Sequence, residues 1–279
     1  MNYEKVTEDF YKLETNDDGA PKFTQNNFKL INTFLKYDSN YSGVEDDSSL
    51  VFAKTYRGIL TKEKENFFNF KKVEDYKDEE DYMQNDSLYL VIESIDRFNS
   101  THLASEGPKG GNKGRINTAK GIYNLKNFKE RLYYADTKLV DEIAGFGGKN
   151  NFSFASKFCS YLCRYLFKGL TQENNYCIYD EVVQSVLPYF ANCYKINLDK
   201  KYYTTCTRKG IKHNRSIISK VKKDGYSEYI KVINAIVEKI KKESNIDVSY
   251  EAFDHMLWYF FKGQPNKIQE LMDTLPKLK

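Results

Sequence analysis

The chain has 279 residues, with 43 Lys+Arg against 39 Asp+Glu, 41% hydrophobic residues, 23 Tyr and 19 Phe, but only 5 Pro and 15 Gly. That length supports a sizeable core without staples, and the composition excludes wholesale disorder, collagen and Pro-rich linker proteins. No apolar run approaches the roughly 20 residues of a membrane span, and residues 1–12 lack the apolar centre of a signal peptide, so a soluble, cytoplasmic protein is expected.

Charge is unevenly spread. Residues 1–100 carry 13 Lys+Arg and 21 Asp+Glu, whereas residues 101–279 carry 30 and 18. A polyanion is the expected partner of the later part, nucleic acid first, against the alternative of a solvated surface. Five Cys, an odd count without a C-x-x-C, argue for reduced and mostly buried thiols rather than a disulfide framework or zinc cluster. No metal or cofactor is expected.

Residues 1–84 form an acidic N-terminal region of uncertain structure. Within it, residues 23–37 have helical spacing, 38–49 read as a polar loop, and Phe67, Phe68 and Phe70 anchor a charge-dense stretch. From residue 85 the pattern is plainer. Ser87 is placed to cap a helix carrying Leu88, Val91, Ile92, Ile95 and Phe98. Residues 105–115, SEGPKGGNKGR, read as a flexible loop or a phosphate contact, without the Walker A spacing.

Residues 124–134 are predicted helical, and Asp136 begins a helix stopped by Gly145, Gly147 and Gly148. Asn151 or Ser153 opens the next, with Phe154, Phe158, Tyr161, Leu162 and Tyr165 inward. Val182, Val183, Val186 and Leu187 follow Asp180 on another. Residues 195–223 hold ten cations against Asp199 alone, interleaved with Tyr194, Tyr202 and Tyr203. Helices are expected over residues 227–242 and 249–261, then near 268–275. Strand signals are weak, so the class is mainly α.

A helix, a Gly-rich turn, Ser153-Phe154-Ala155-Ser156-Lys157 and then Ile178-Tyr179-Asp180-Glu181-Val182 together resemble the helix–hairpin–helix DNA glycosylases, most closely the 8-oxoguanine DNA glycosylase-like branch. The resemblance is carried by about fifty residues. It implies a glycosylase-like helical core over residues 85–279 and double-stranded DNA as partner. It departs from the family pattern in a longer Lys-to-Asp separation and in a hairpin, Gly145-Phe146-Gly147-Gly148-Lys149-Asn150, less compact than Gly-x-Gly. The iron–sulfur cysteines of the endonuclease III branch are absent.

The resemblance implies a DNA N-glycosylase that excises a damaged or modified base, with abasic-site lyase chemistry as a further step. Positive charge builds on the sugar as the bond to the base breaks. Asp180 is the carboxylate to stabilise it, and Lys157, with a lowered pKa, the nucleophile that forms a Schiff base. Taken singly, Lys157 also reads as a surface cation and Asp180 as a helix N-cap. The hairpin residues Gly145, Gly147, Gly148 and Lys149 are candidates for DNA contact, as are Lys209, Lys212, Arg215 and Lys220 for phosphates. An extruded base needs an apolar pocket, for which Phe253, Trp258, Phe260 and Phe261 are candidates, with core packing as the alternative. His255 is a candidate for a base edge. The competing functions are a catalytically idle nucleic-acid-binding module, used in mobile-element or phage defence, and a protein-interaction factor whose acidic region mimics DNA.

Overall fold

Helix caps and apolar faces set most of the boundaries in the computed structural model, which describes residues 13–40, 55–99, 101–103, 112–148, 150–170, 175–198, 203–208, 211–216, 225–262 and 264–275. In chain order the helices are α1 (Gln25–Asn40), α2 (Tyr56–Lys62), α3 (Glu79–Asn85), α4 (Ser87–Asn99), α5 (Lys113–Tyr123), α6 (Phe128–Tyr133), α7 (Thr137–Phe146), α8 (Phe152–Leu166), α9 (Glu181–Cys193), α10 (Gly225–Ser244), α11 (Tyr250–Phe261) and α12 (Pro265–Asp273). A two-stranded antiparallel sheet, β1 (Tyr203–Arg208) and β2 (Ile211–Ser216), lies between α9 and α10 in sequence. The fold is mainly α. Among the described residues, no helix is long and apolar enough to cross a membrane.

The chain divides into two compact units. One is Val44–Ile178 with Lys222–Tyr226, and residue 84 falls inside it. The other is Met1–Gly43, Tyr179–Val221 and Ser227–Lys279.

In the unit built on Val44–Ile178, α8 is the central element, packed against α2, α4, α6 and α7. Phe152, Phe154, Ala155, Phe158, Cys159, Leu162, Cys163 and Leu166 are all buried on it, as expected of a helix apolar nearly all round. Burial pushes the Cys159 and Cys163 thiols up, away from the reactive thiolate form. Helix α4 starts one residue from where the sequence suggested its cap. Asp86, not Ser87, accepts the Tyr89 N–H at 2.7 Å. Phe98, expected inward, is 66% exposed, because the last buried turn ends at Ile95 and Asp96. Residues 113–115 belong to α5 rather than to a loop. Residues 124–127 lie outside α6, because Asn127 takes a left-handed conformation (φ 53°) that no regular helix continues through.

Arg115 is buried and donates from Nε to Asp96 at 2.8 Å and from Nη1 to Glu93 at 3.0 Å. Asp96 also accepts from the Thr101 hydroxyl and the Leu103 N–H. Burial opposes its ionised form, but these hydrogen bonds outweigh that and hold the Asp96 carboxyl below its ordinary range. The cation therefore ties α4 to α5.

In the other unit, α9 packs against α11, α12 and β2, and α11 against α1. Phe23 stacks on Phe253 with ring centroids 5.6 Å apart and meets Phe190 edge-on at 5.3 Å. In the first turn of α1, buried Asn27 accepts the Glu14 N–H and donates to the Glu14 and Lys22 carbonyls. It staples the loop that the isolated bridge Thr15↔Pro21 closes.

Candidate active site

The candidate residues begin at the connection between α7 and α8. Asp136 caps α7 by accepting the Lys138 N–H at 3.0 Å. Gly145 lies in the helix and Gly147 is its C-cap. Gly148 has φ +99°, a conformation that glycine adopts without steric cost. Asn151 then fixes the turn in three ways. Its N–H donates to Ala144 O at 2.9 Å. Its side-chain oxygen caps α8 through the Phe154 N–H at 3.0 Å. Its side-chain nitrogen donates to Thr101 O at 2.6 Å. Of the two helix starts that the sequence left open, Asn151 is the cap. Lys149 lies outside the described residues.

Lys157 sits on the second turn of α8 and is half-buried. Its Nζ donates to the Ser153 Oγ one turn back at 3.3 Å. Its helix is held by the buried Phe154 and Phe158, whose rings stack at 5.6 Å.

An extended segment leads to the carboxylate. Tyr176 donates its hydroxyl to the Arg131 and Asp136 carbonyls, and Tyr226 donates to Cys177 O at 2.7 Å. Asp180 is 6% exposed. It is the N-cap of α9, with Oδ1 accepting the Val183 N–H at 3.0 Å. Both alternatives offered for Asp180 remain compatible with that bond, since a capping carboxylate keeps a second oxygen for other partners. Lys157 belongs to the unit Val44–Ile178 and Asp180 to the segment Tyr179–Val221 of the other.

The aromatic candidates on α11 differ among themselves. Phe253 and Phe261 are fully buried, the first stacked on Phe23 and the second edge-on to Phe190. Phe260 is buried under the Lys267 ammonium, 3.8 Å from the ring centroid. Trp258 is half-buried, edge-on to Tyr259 at 5.0 Å and covered by Lys262 at 5.3 Å. His255 contacts Glu251 O through Nδ1 at 2.8 Å, on its own helix.

Of the four cations expected on phosphates, Lys212 and Arg215 lie on β2. Lys209 and Lys220 lie outside the described residues. Among the described residues, no group of three or more His, Cys, Asp or Glu is arranged to hold a metal ion.

One feature had little sequence signal. A groove of about 670 Å³ in the unit Val44–Ile178 is lined by Phe68, Phe70, Tyr123, Phe128, Tyr133 and Tyr134, among others. Tyr134 is 72% exposed at its mouth. Phe68 and Phe70, read from sequence as anchors of a charge-dense stretch, were the hint, and the rest of the lining gave none, because it comes from a second stretch far away in sequence.

A family model described as HI_0787_N, N-terminal domain, matches residues 52–166. This is less than half of the 279 residues. The match runs from before α2 to the end of α8, so it contains Lys157 and the turn before it and stops short of Asp180. No curated protein and no solved structure matches the chain.

Proposed function

We propose that the chain is a DNA N-glycosylase that excises a damaged or modified base from double-stranded DNA in the cytoplasm. The observation that carries this reading is the run of α7, a glycine turn, and Lys157 in the second turn of α8, followed by the buried carboxylate of Asp180 at the start of α9. In the proposed reaction the Lys157 amine, uncharged, bonds to C1′ of the nucleotide as the bond from C1′ to the base breaks. The base leaves with the electron pair and takes up a proton. Asp180 stabilises the positive charge that gathers on the sugar. The ring oxygen then leaves C1′, giving an imine through which β-elimination can nick the strand.

The test is excision from a panel of duplex oligonucleotides, each carrying one modified base, by the parent chain and by Asp180→Asn. Release of at least one base by the parent, lowered about 100-fold or more in the variant, supports the reading. No release of any base, or equal release by both, overturns it.

A second reading is a catalytically idle nucleic-acid-binding module on the same fold, used in defence against mobile elements. The bond from Lys157 to Ser153 and the capping bond of Asp180 favour it, because each side chain already has a structural partner. Duplex binding without excision or trapping is its signature.

A further inference from the structure

The basic tract forms a β-ribbon, which the sequence did not suggest. Residues 200–223 contain nine Lys+Arg and no Asp or Glu. Within them β1 and β2 pair antiparallel over six residues each, from Tyr203↔Ser216 to Arg208↔Ile211. Two residues, Lys209-Gly210, separate the strands. β2 lies against α9 and α12, whereas β1 has no comparably extensive helix contact among the described residues.

We propose that this ribbon enters the major groove of duplex DNA and reads base edges there. The inference rests on the reading of the chain as a duplex-DNA protein but not on its catalysis. Dimensions and charge carry it. Two paired strands lie about 4.8 Å apart and six residues extend about 20 Å. With side chains, such a ribbon fits the major groove, about 12 Å wide, and not the minor groove, about 6 Å wide. Its lack of acids removes repulsion from both flanking phosphate chains.

The register sorts the cations by role. Thr204↔Arg215, Cys206↔His213 and Arg208↔Ile211 share one face. Tyr203↔Ser216, Thr205↔Asn214 and Thr207↔Lys212 share the other. Arg208 and Arg215 thus stand on a single face, and the guanidinium fork pairs with O6 and N7 of guanine, the commonest specific contact in this groove. We assign that face to the bases and Lys212, on the opposite face, to phosphate. Arg215 therefore moves from the phosphate contacts expected from sequence to a base contact.

The experiment is anisotropy of the full chain on three undamaged duplexes of one sequence. One is natural. One has 7-deazaguanine for guanine, which removes the major-groove N7. One has 3-deazaadenine for adenine, which removes the minor-groove N3. The parent should bind the 7-deazaguanine duplex about tenfold more weakly than the other two. Arg208→Gln/Arg215→Gln should bind all three equally, while Lys212→Gln should keep the parent's preference. Circular dichroism melting checks that the double variant folds. If it melts early, Arg208→Lys/Arg215→Lys, which keeps the charge but not the fork, should still lose the preference. A parent indifferent to 7-deazaguanine, one sensitive to 3-deazaadenine instead, or a preference retained without both arginines overturns the proposal. Because the duplexes are undamaged, failure of excision leaves this result standing, and failure here leaves excision standing.

Discussion

Asp180 caps α9 and is the proposed catalytic carboxylate, and substitutions at this one residue part the two. Asp180→Ala removes the cap on α9 and should cost about 1 kcal/mol, read as a lowered denaturant midpoint. Asp180→Asn keeps the cap and should melt like the parent, so any loss of excision in it reports the charge. The cap was legible in sequence, since an Asp directly before Glu181-Val182-Val183 is a helix start. The Arg115–Asp96 pair was not. Its members are 19 residues apart with a glycine-rich stretch between them, and nothing local couples them. Breaking such a pair strands a buried charge, so Arg115→Ala should lose about 3 kcal/mol. The pH dependence follows from Asp96. Its folded pKa lies below its unfolded value of 3.8, so the native state holds the carboxylate more strongly than the unfolded chain does. That stability is present above 3.8 and is lost as pH falls through the folded value. Urea midpoints measured from neutral pH into the acid range should fall less steeply in Asp96→Asn than in the parent. A variant as acid-sensitive as the parent would move the effect to other carboxylates.

At the level of elements, two glycines make opposite predictions. A Cβ at Gly121 on α5 would stand 2.3 Å from Cγ of Phe146 on α7. The close packing of these helices depends on its absence. Gly121→Ala gains helix propensity of about 1 kcal/mol, but the ring base cannot yield cheaply, and overpacking of about 1–3 kcal/mol should win. Gly145, also helical, has open space at its Cβ position. Gly145→Ala should raise the thermal midpoint by the propensity gain of about 1 kcal/mol. If that stabilised variant also loses duplex affinity, the turn after α7 touches DNA. Helices α7, α8 and α11 were readable because apolar spacing and a capping residue agree, and α10 from its apolar spacing alone. The shortening of α6 was not, because it turns on the left-handed Asn127, an excursion that a single sequence does not announce. The ribbon escaped for another reason. Its strands, YTTCTR and IKHNRS, put polar residues at both odd and even positions, so neither face is apolar and period-two patterning has no contrast to show. Its register exists only through the partner strand. The candidate site was read as residue types in order, Gly turn, Lys157, Asp180. Its geometry was not, because burial and bonds such as Lys157 to Ser153 depend on packing around α8.

For the molecule as a whole, the charge distribution determines what the proposed DNA reading predicts. The excess of cations beyond residue 100 should make affinity fall steeply with salt. Replacing Lys209, Lys212 and Lys220 with Gln should flatten the slope of log affinity against log salt by about 0.9 for each phosphate no longer neutralised, or about 2.7 for three. An unaltered slope would remove these lysines from the interface. Base preference should survive in that variant, since phosphate contacts position the protein without reading sequence. The role of Lys157 as a nucleophile at a sugar carbon is decided by borohydride trapping on duplex DNA containing an abasic site, followed by peptide mapping of the adduct. Reduction should leave a stable cross-link on the peptide bearing Lys157, and Lys157→Gln, which should still bind DNA but has no amine there, should give none. A cross-link on a different lysine, or equal trapping by the variant, would refute that role.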